Sequence, residues 1–421
     1  MNKISANYLF KWILFASIAS LTGLSATYSF TLILKKVAIY TYYNTYTIFL
    51  FPLAAPFLCK YLIYSLSPKS AEEGVLSYLK SVNNHHGDLS IKTTLFKFLS
   101  SIITLSCNLS GGIVGPLVRI NSGITSFIAN QKLPKNIQLN QDDKRTFVIC
   151  GASAVVASIF HAPLSSGLFA VEILKRSNMK YLDLFPAILT SCFTTAAAKS
   201  LGFNPIFPFP SVSVTFPLKN LVWVLVIGLF SGYFSILYVN FYHWVSEKSE
   251  RKQLRLVSLI SGAILVSLIA FFYQQDLLGT SSIIFQNLLD GKIPNLPSFF
   301  QNPKFIFIGL LLLALFKGLT NCLTVGTGYS AGFAGPSVIM GLLIGASFSK
   351  LLNIEPLSGS YYGFMAAGMS GILSASMNVP LAAAAMGAEL FGSNIGFSST
   401  IASIVAFQVA RSITLFKSQF K

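Results

Sequence analysis

Long apolar stretches with few charges dominate the pattern of hydrophobic and polar positions along the chain. Residues 8–34 contain one charged side chain, Lys11, and residues 218–245 contain one, Lys219. Both stretches exceed the roughly 20 residues that cross a bilayer core as a helix. The first lacks the small-residue cleavage site of a signal peptide, so we interpret it as a membrane span. Further candidate stretches are residues 45–66, 95–109, 182–201, 254–273, 305–323 and 398–414. The pattern predicts an all-α polytopic membrane protein.

A nine-residue segment occurs twice. Residues 110–118, SGGIVGPLV, are matched 220 residues later by residues 330–338, SAGFAGPSV. A Pro-Leu pair follows each copy, and a glutamate stands nine residues after that proline: Pro163 and Glu172 in the first copy, Pro380 and Glu389 in the second. Two motifs in the same order at nearly one separation indicate an internal repeat, since chance likeness of Gly- and Ala-rich segments does not explain the matched spacing.

The repeat divides the chain into two membrane halves, residues 1–205 and 206–421. The boundary falls in a proline-rich stretch, residues 203–216. Such paired halves are common among secondary transporters, whose substrate site lies between the repeats. No soluble regulatory domain is expected after the second half.

Each copy of the nine-residue segment predicts a broken helix that restarts at its Gly-Pro pair. Proline is tolerated in the first turn of a helix, and glycine permits the tight turn before it. The helices should restart at residues 114–116 and 334–336. Their first amides lack partners within the helix, and unpaired amides at membrane depth are tolerated only beside a polar cavity. There they favour an anion. The alternative is a helix-packing motif of small residues.

Composition and charge agree with a membrane protein. The chain has 421 residues, 53% of them hydrophobic and 10% charged, whereas about a quarter are charged in soluble domains. The net charge is +17, but the basic residues cluster between apolar stretches, as in cytoplasmic loops, and not in a nucleic-acid-binding pattern. No catalytic constellation, metal-ligand set or phosphate loop is present, so neither an enzyme nor a cofactor is predicted. We expect a bacterial inner (plasma) membrane.

These motifs resemble those of the CLC family of chloride channels and proton-coupled chloride exchangers. The resemblance covers residues 60–421 and rests on the Gly-Pro segments at 112–116 and 332–336, on residues 151–172 and on residues 412–419. It implies a homodimer with one pore per subunit and an inverted-repeat fold of about 16–18 tilted and re-entrant helices. It also implies that backbone amides bind the anion. They belong to two segments: Gly112, Ile113, Val114 and Gly115, and Phe333, Ala334 and Gly335.

Several side chains depart from that family's pattern. The position of the gating glutamate is Val114, the position of the proton-relay glutamate is Ile173, beside Glu172, and the position of the pore tyrosine is Phe416. Valine and isoleucine do not titrate, so the usual route of proton-coupled exchange is absent. Phenylalanine removes a hydroxyl donor to the anion.

The remaining loop of the family's site allows two registers. One places residues 73–76 over its last four positions, so that Glu73 faces the anion. The other makes Ser70 and Glu73 a capping box that starts a helix, leaving the Ser70 hydroxyl as a ligand. Both registers stay open at this point.

Three functions follow from these residues. The first is passive, uncoupled conduction of small inorganic anions, chloride above all. The second is proton-coupled exchange through a displaced glutamate, Glu73 or Glu172. The third is a non-conducting membrane protein that serves as a partner. The matched positions of Glu172 and Glu389 favour a structural role, such as binding the free amides at a helix end.

Overall fold

The computed structural model describes residues 3–41, 45–132, 138–174, 179–210, 215–249 and 255–417. These residues form sixteen α-helices. The first eight are α1 (Lys3–Thr41), α2 (Thr45–Cys59), α3 (Gly74–Asn84), α4 (Ile91–Ser106), α5 (Val114–Ala129), α6 (Gln141–Phe160), α7 (Pro163–Glu172) and α8 (Tyr181–Ser200). The others are α9 (Leu221–Ser249), α10 (Arg255–Phe272), α11 (Ser282–Leu289), α12 (Ile306–Gly326), α13 (Ala334–Leu351), α14 (Gly359–Met377), α15 (Pro380–Phe391) and α16 (Ser393–Val409). The predicted all-α fold is confirmed.

Six helical segments of the described chain are long and apolar enough to cross a membrane. They are Tyr8–Ala38, Tyr181–Ser200, Leu218–Ser249, Arg255–Phe272, Ile306–Gly326 and Ala334–Leu351. The first of them lies in α1, which packs against α6 and α8. This packing is expected for a span that belongs to the folded protein. The chain is a multi-pass membrane protein.

Three of the predicted spans form shorter or interrupted helices. Residues 45–66 are not one α-helix, because α2 contains Pro52 and Pro56 and continues as a π-helix over Lys60–Leu66. Helices α4 and α16 have 16 and 17 residues, less than a perpendicular crossing requires. Short and broken helices of this kind leave polar backbone ends inside the molecule, where neighbouring elements must satisfy them.

The helices of the two halves correspond in order. Helices α4 to α8 carry the first copy of the repeated motifs, and α12 to α16 carry the second. The ends of α6 and α14 match in detail, since each helix stops at a residue with left-handed backbone angles, His161 (φ 54°) and Asn378 (φ 58°). Both residues stand two positions before the prolines that start α7 and α15. The helices that restart at the Gly-Pro pairs, α5 and α13, are almost entirely buried.

Candidate anion site

The two glycine-rich loops meet at the centre of the molecule. The amide of Gly112 donates to the carbonyl of Gly332, and the amide of Gly332 donates to the carbonyl of Gly112, both at 2.9 Å. This antiparallel pair stands directly before α5, which begins at Val114, and α13, which begins at Ala334. The predicted breaks at both Gly-Pro segments are confirmed, and the two helix N-termini lie side by side.

Free amides surround this meeting point. In the part of the chain that the structure describes, the amides of Ile113, Val114, Phe333 and Ala334 donate to no backbone carbonyl outside their helices. The first amides of an α-helix have no acceptor within it. Together with the positive ends of two helix dipoles, such amides attract a negative charge. All four residues are buried.

Side chains of the preceding helices hold each loop in place. The Nδ2 atom of Asn321 on α12 donates to the carbonyls of Ser110 (3.4 Å) and Gly332 (3.2 Å). On α4, the hydroxyl of Ser101 bonds that of Ser330 at 2.7 Å. Each half therefore supports a loop of the other half, which keeps both helix ends at one site.

A buried lysine, Lys317 on α12, lies behind the first loop. Its ammonium donates to the hydroxyl of Ser110 at 2.9 Å and to the carbonyls of Leu277 and Gly279, both at 3.1 Å. These three acceptors are neutral, and Lys317 forms no ion pair with any described carboxylate. In its protonated form, Lys317 adds to the potential that favours anions at the loop.

Helix α4 carries the corresponding lysine. Lys97 is also buried, and its ammonium donates to the carbonyls of Ser70 (3.2 Å) and Glu72 (2.7 Å). Sequence reasoning missed both lysines. The signal was present, because Lys97 and Lys317 are 220 residues apart, the separation of the two nine-residue segments. Extending the repeat thirteen residues upstream would have found them.

A third helix N-terminus, that of α3, reaches the same place. Helix α3 begins at Gly74, and a β-carbon on Gly74 would clash with the carbonyl of Gly115 on α5. Glu73 is the N-cap residue of α3, and its Oε2 accepts from the amide of Leu76 at 2.8 Å. A β-carbon on Gly115 would clash with the other oxygen, Oε1, and would lie 3.0 Å from Cα of Gly332. The Glu73 carboxylate thus stands among the three helix ends.

The capping box that starts at Ser70 is wrong. Ser70 lies in a 3₁₀ turn, Pro68–Ala71, and its hydroxyl donates to the carbonyl of Ser67 at 2.7 Å. The helix starts three residues later, because Glu72 (ψ 141°) and Glu73 (ψ 140°) have backbone angles that are not helical. Of the two registers, the helix start favours the one that places Glu73 at the site.

The positions matched to the gating and relay glutamates are buried in apolar surroundings. Val114 is the first residue of α5, and Ile173 is the C-cap of α7. A cavity of about 10 Å³, lined only by apolar side chains that include Val114, Phe169 and Met386, lies between these helices. A single water needs about that volume and several polar partners. The cavity therefore offers no relay for protons.

Aromatic rings border the second helix end. The Phe333 ring contacts those of Tyr242 (centroids 4.6 Å apart) and Phe416 (6.4 Å). The amide of Phe416 donates to the Thr414 hydroxyl at 3.2 Å. The structure thus places the Phe416 ring beside Phe333 at the start of α13. The last residues of that motif, 418 and 419, lie outside the described residues.

Glu172 of α7 binds the free amides at the start of α15, and Glu389 of α15 binds the free amides at the start of α7. The four hydrogen bonds run from Leu381 and Ala382 of α15 to Glu172 (2.9 and 2.7 Å), and from Leu164 and Ser165 of α7 to Glu389 (both 2.8 Å). The structural role that their matched positions favour is confirmed. Both oxygens of Glu172 are occupied as acceptors. Burial raises the pKa of this carboxyl to about 7, and the two amides oppose the rise.

A larger cavity, of about 640 Å³, approaches the site at Ile113. Its lining includes Lys35 of α1, Asn108 before α5 and Asp276 before α11. The Asp276 carboxylate accepts from Gln274 at 2.9 Å, and burial raises its pKa. Ile113, which carries the first free amide of the site, is among the residues that line this cavity. Within the described residues, no cluster of three or more His, Cys, Asp or Glu could hold a metal ion.

The chain is similar to several known proteins. The family model described as "Voltage gated chloride channel" matches residues 55–411. An uncharacterized protein of Methanocaldococcus jannaschii is 24% identical over 97% of this chain and 95% of its own length. A chloride/fluoride channel protein of Pseudomonas syringae pv. tomato is 22% identical over 98% of this chain and 87% of its own length.

The fold is shared with a solved structure. A CLC-type fluoride/proton antiporter superposes with a TM-score of 0.81 at 18% identity, over 100% of this chain and 99% of that chain. At this identity the likeness shows the fold alone. The predicted inverted-repeat architecture is confirmed.

Proposed function

Because the chain belongs to the voltage-gated chloride channel (CLC) family, whose members transport anions, we propose that it conducts small inorganic anions, chloride above all, passively and without proton coupling. The observation that carries this proposal is the meeting of α5 and α13 at the Gly112–Gly332 pair. Free amides and two positive helix ends face one place, and two buried lysines behind them add charge of the same sign. An anion gains from all of these groups at once.

The absence of proton coupling is supported by side chains. Val114 and Ile173 do not titrate, and the cavity beside Val114 has an apolar lining. Glu172 is engaged with the amides of α15. The two positions that the resemblance assigns to the gate and to proton relay therefore carry no titratable group in this chain.

We propose a homodimer as the working assembly. Glu389 is exposed in the single chain, whereas its counterpart Glu172 is buried. The surface around Glu389 is apolar, with Leu164 and Leu381 exposed by 46% and 54%. A charged group facing lipid is costly, so a second copy that covers this surface would complete the structure. Light scattering in detergent should give twice the 45.7 kDa chain mass, and a monomer mass would contradict the proposal.

Paired flux measurements test conduction directly. The purified protein is placed in liposomes loaded with chloride, and chloride release and external pH are recorded together after potassium permeability is set by an ionophore. We expect chloride to run down its gradient with no accompanying proton movement beyond that of protein-free liposomes. Proton movement in fixed ratio with chloride would overturn uncoupled conduction and favour an exchanger. Absence of any anion flux from well-folded protein would overturn conduction itself and favour a partner role.

A further inference from the structure

A glutamate carboxylate stands where the transported anion is expected to bind. We infer that Glu73 acts as a tethered anion, which occupies the site between α3, α5 and α13 and has to leave before a free anion can pass. The inference rests on the proposed function, because it concerns the same site.

The position of the carboxylate is the first observation. Glu73 is 4% exposed, and its Oε1 accepts no hydrogen bond within the described residues. This oxygen lies against Gly115 of α5, close to Gly332 before α13. A buried carboxylate oxygen without a donor is unfavourable unless positive potential surrounds it. The helix ends at this place supply that potential, which is the same potential that would bind chloride.

The capping role of Glu73 does not explain this arrangement. Only Oε2 is used to cap α3, through the amide of Leu76. Serine, threonine, aspartate and asparagine are the strongly preferred N-cap residues, and each would cap this helix without reaching α5. The longer side chain of glutamate places a second oxygen at Gly115. The capping role does not explain the position of that oxygen.

The charged and titratable groups around Glu73 do not hold it in an ion pair. The ammonium of Lys97 on α4 donates hydrogen bonds to the carbonyls of Ser70 and Glu72. From α5, Arg119 donates to Ser77 on α3 and to hydroxyls of α4, the nearest at 2.9 Å. No described cation lies within 4.0 Å of the Glu73 carboxylate. The carboxylate is therefore attracted to the site without being bound to one partner, and it can be displaced.

Three neighbouring side chains complete this environment. Tyr238 and Tyr242 of α9 face the site, with the Tyr242 ring against Phe333. The side chain of Glu72, on the same segment as Glu73, turns away and pairs with Lys80. Neither tyrosine is charged at neutral pH, so Glu73 is the negative group that competes with the anion.

Competition predicts a dependence on pH. Glu73 lies in the loop before α3, outside the six candidate spans. Burial raises the pKa of its carboxyl, whereas the amide of Leu76 and the charge of Lys97 lower it. As pH falls through this pKa, the carboxyl becomes neutral and loses its attraction to the helix ends. The site is then free for a transported anion. Anion flux should therefore rise on acidification.

Glu73→Gln tests the inference, and Glu72→Gln is the matched control. Glutamine keeps an oxygen to accept from Leu76, so α3 retains its cap, while Glu73→Ser provides a second variant with a shorter cap. Chloride flux from liposomes is measured between pH 5.5 and 7.5, and chloride binding is measured by calorimetry in detergent. At pH 7.5 we expect about a tenfold or greater gain in flux and in affinity for both Glu73 variants, since a like charge at contact distance is removed. Flux should no longer depend on pH, and Glu72→Gln should match the unmodified protein.

The outcomes separate this inference from the proposed function. A flat pH profile of the unmodified protein, or an unchanged profile in Glu73→Gln, would overturn the tethered anion while leaving conduction intact. Absence of flux from every variant would overturn conduction. In that case a tenfold tighter chloride affinity of Glu73→Gln would still support competition at the site, and an unchanged affinity would refute it.

Discussion

Replacing Glu172 by alanine tests whether this carboxylate is a structural cap or a proton carrier. In the folded chain it accepts from the amides of Leu381 and Ala382 at 2.9 and 2.7 Å, and it is 8% exposed. Alanine removes both acceptors and leaves two amides at the start of α15 without partners. Glutamine keeps one acceptor oxygen and removes the charge.

The size of the effect follows from these contacts. A buried amide left without its partner costs about 1–3 kcal/mol, so Glu172→Ala should lose about 2–6 kcal/mol of unfolding free energy. Loss of the negative charge beside the helix N-terminus adds about 0.3–1 kcal/mol. Glu172→Gln should lose about half as much, since one amide keeps its acceptor. Glu389→Ala should lose less than Glu172→Ala in the monomer, because Glu389 is exposed.

Thermal unfolding in detergent, monitored by size-exclusion chromatography, measures the order of stability of these variants. Chloride and proton flux are measured together on the same samples. We expect the midpoint of Glu172→Ala to fall by about 3 °C or more, with that of Glu172→Gln between it and the unmodified protein. If Glu172→Ala unfolds at the same temperature as the unmodified protein, the cap is energetically unimportant. A loss of proton flux in Glu172→Gln with chloride flux retained would show that the residue carries protons.

Three further substitutions probe the site itself. Val114→Glu should lower chloride flux at neutral pH several-fold and make it depend on pH, because a carboxylate at the start of α5 competes with the anion; an unaffected flux would place the pathway elsewhere. Lys317→Met should weaken chloride binding about tenfold, since it removes a buried cation behind Ser110, and calorimetry with correctly folded protein decides this. Phe416→Tyr should tighten binding about five- to tenfold if its new hydroxyl donates to the anion, whereas unchanged affinity would show that the ring points away from it.

The broken helices were predictable because their cause is local. Proline in a first turn and glycine before it act through backbone geometry of adjacent residues, so the restarts at Val114 and Ala334 follow from the sequence. The pairing of Gly112 with Gly332 required the repeat as well, since only a relation between the halves indicates that two distant loops face each other. The exchange of Glu172 and Glu389 between helix ends was predictable for the same reason.

Other parts of the site depend on contacts that spacing does not encode. The loop before α3 lacks the glycine and proline that would fix its register, so the sequence alone allows either Ser70 or Glu73 at the site. The helix start at Gly74 favours Glu73. The 220-residue separation relates Lys97 to Lys317, but the apolar pattern of their helices does not indicate that these charges are buried behind the loops. The cavity that ends at Ile113 is built from segments far apart in the chain, and no local pattern predicts its shape.

The pair of hydrogen bonds between Gly112 and Gly332 limits how the molecule can move during transport. Rocking of one half against the other would separate these glycines and leave four backbone groups unsatisfied in the middle of the protein. The hydrogen bonds between Gly112 and Gly332 thus oppose any motion that draws the two loops apart. Passage of an anion then depends on small displacements of side chains such as Glu73, while the backbone around the site stays still.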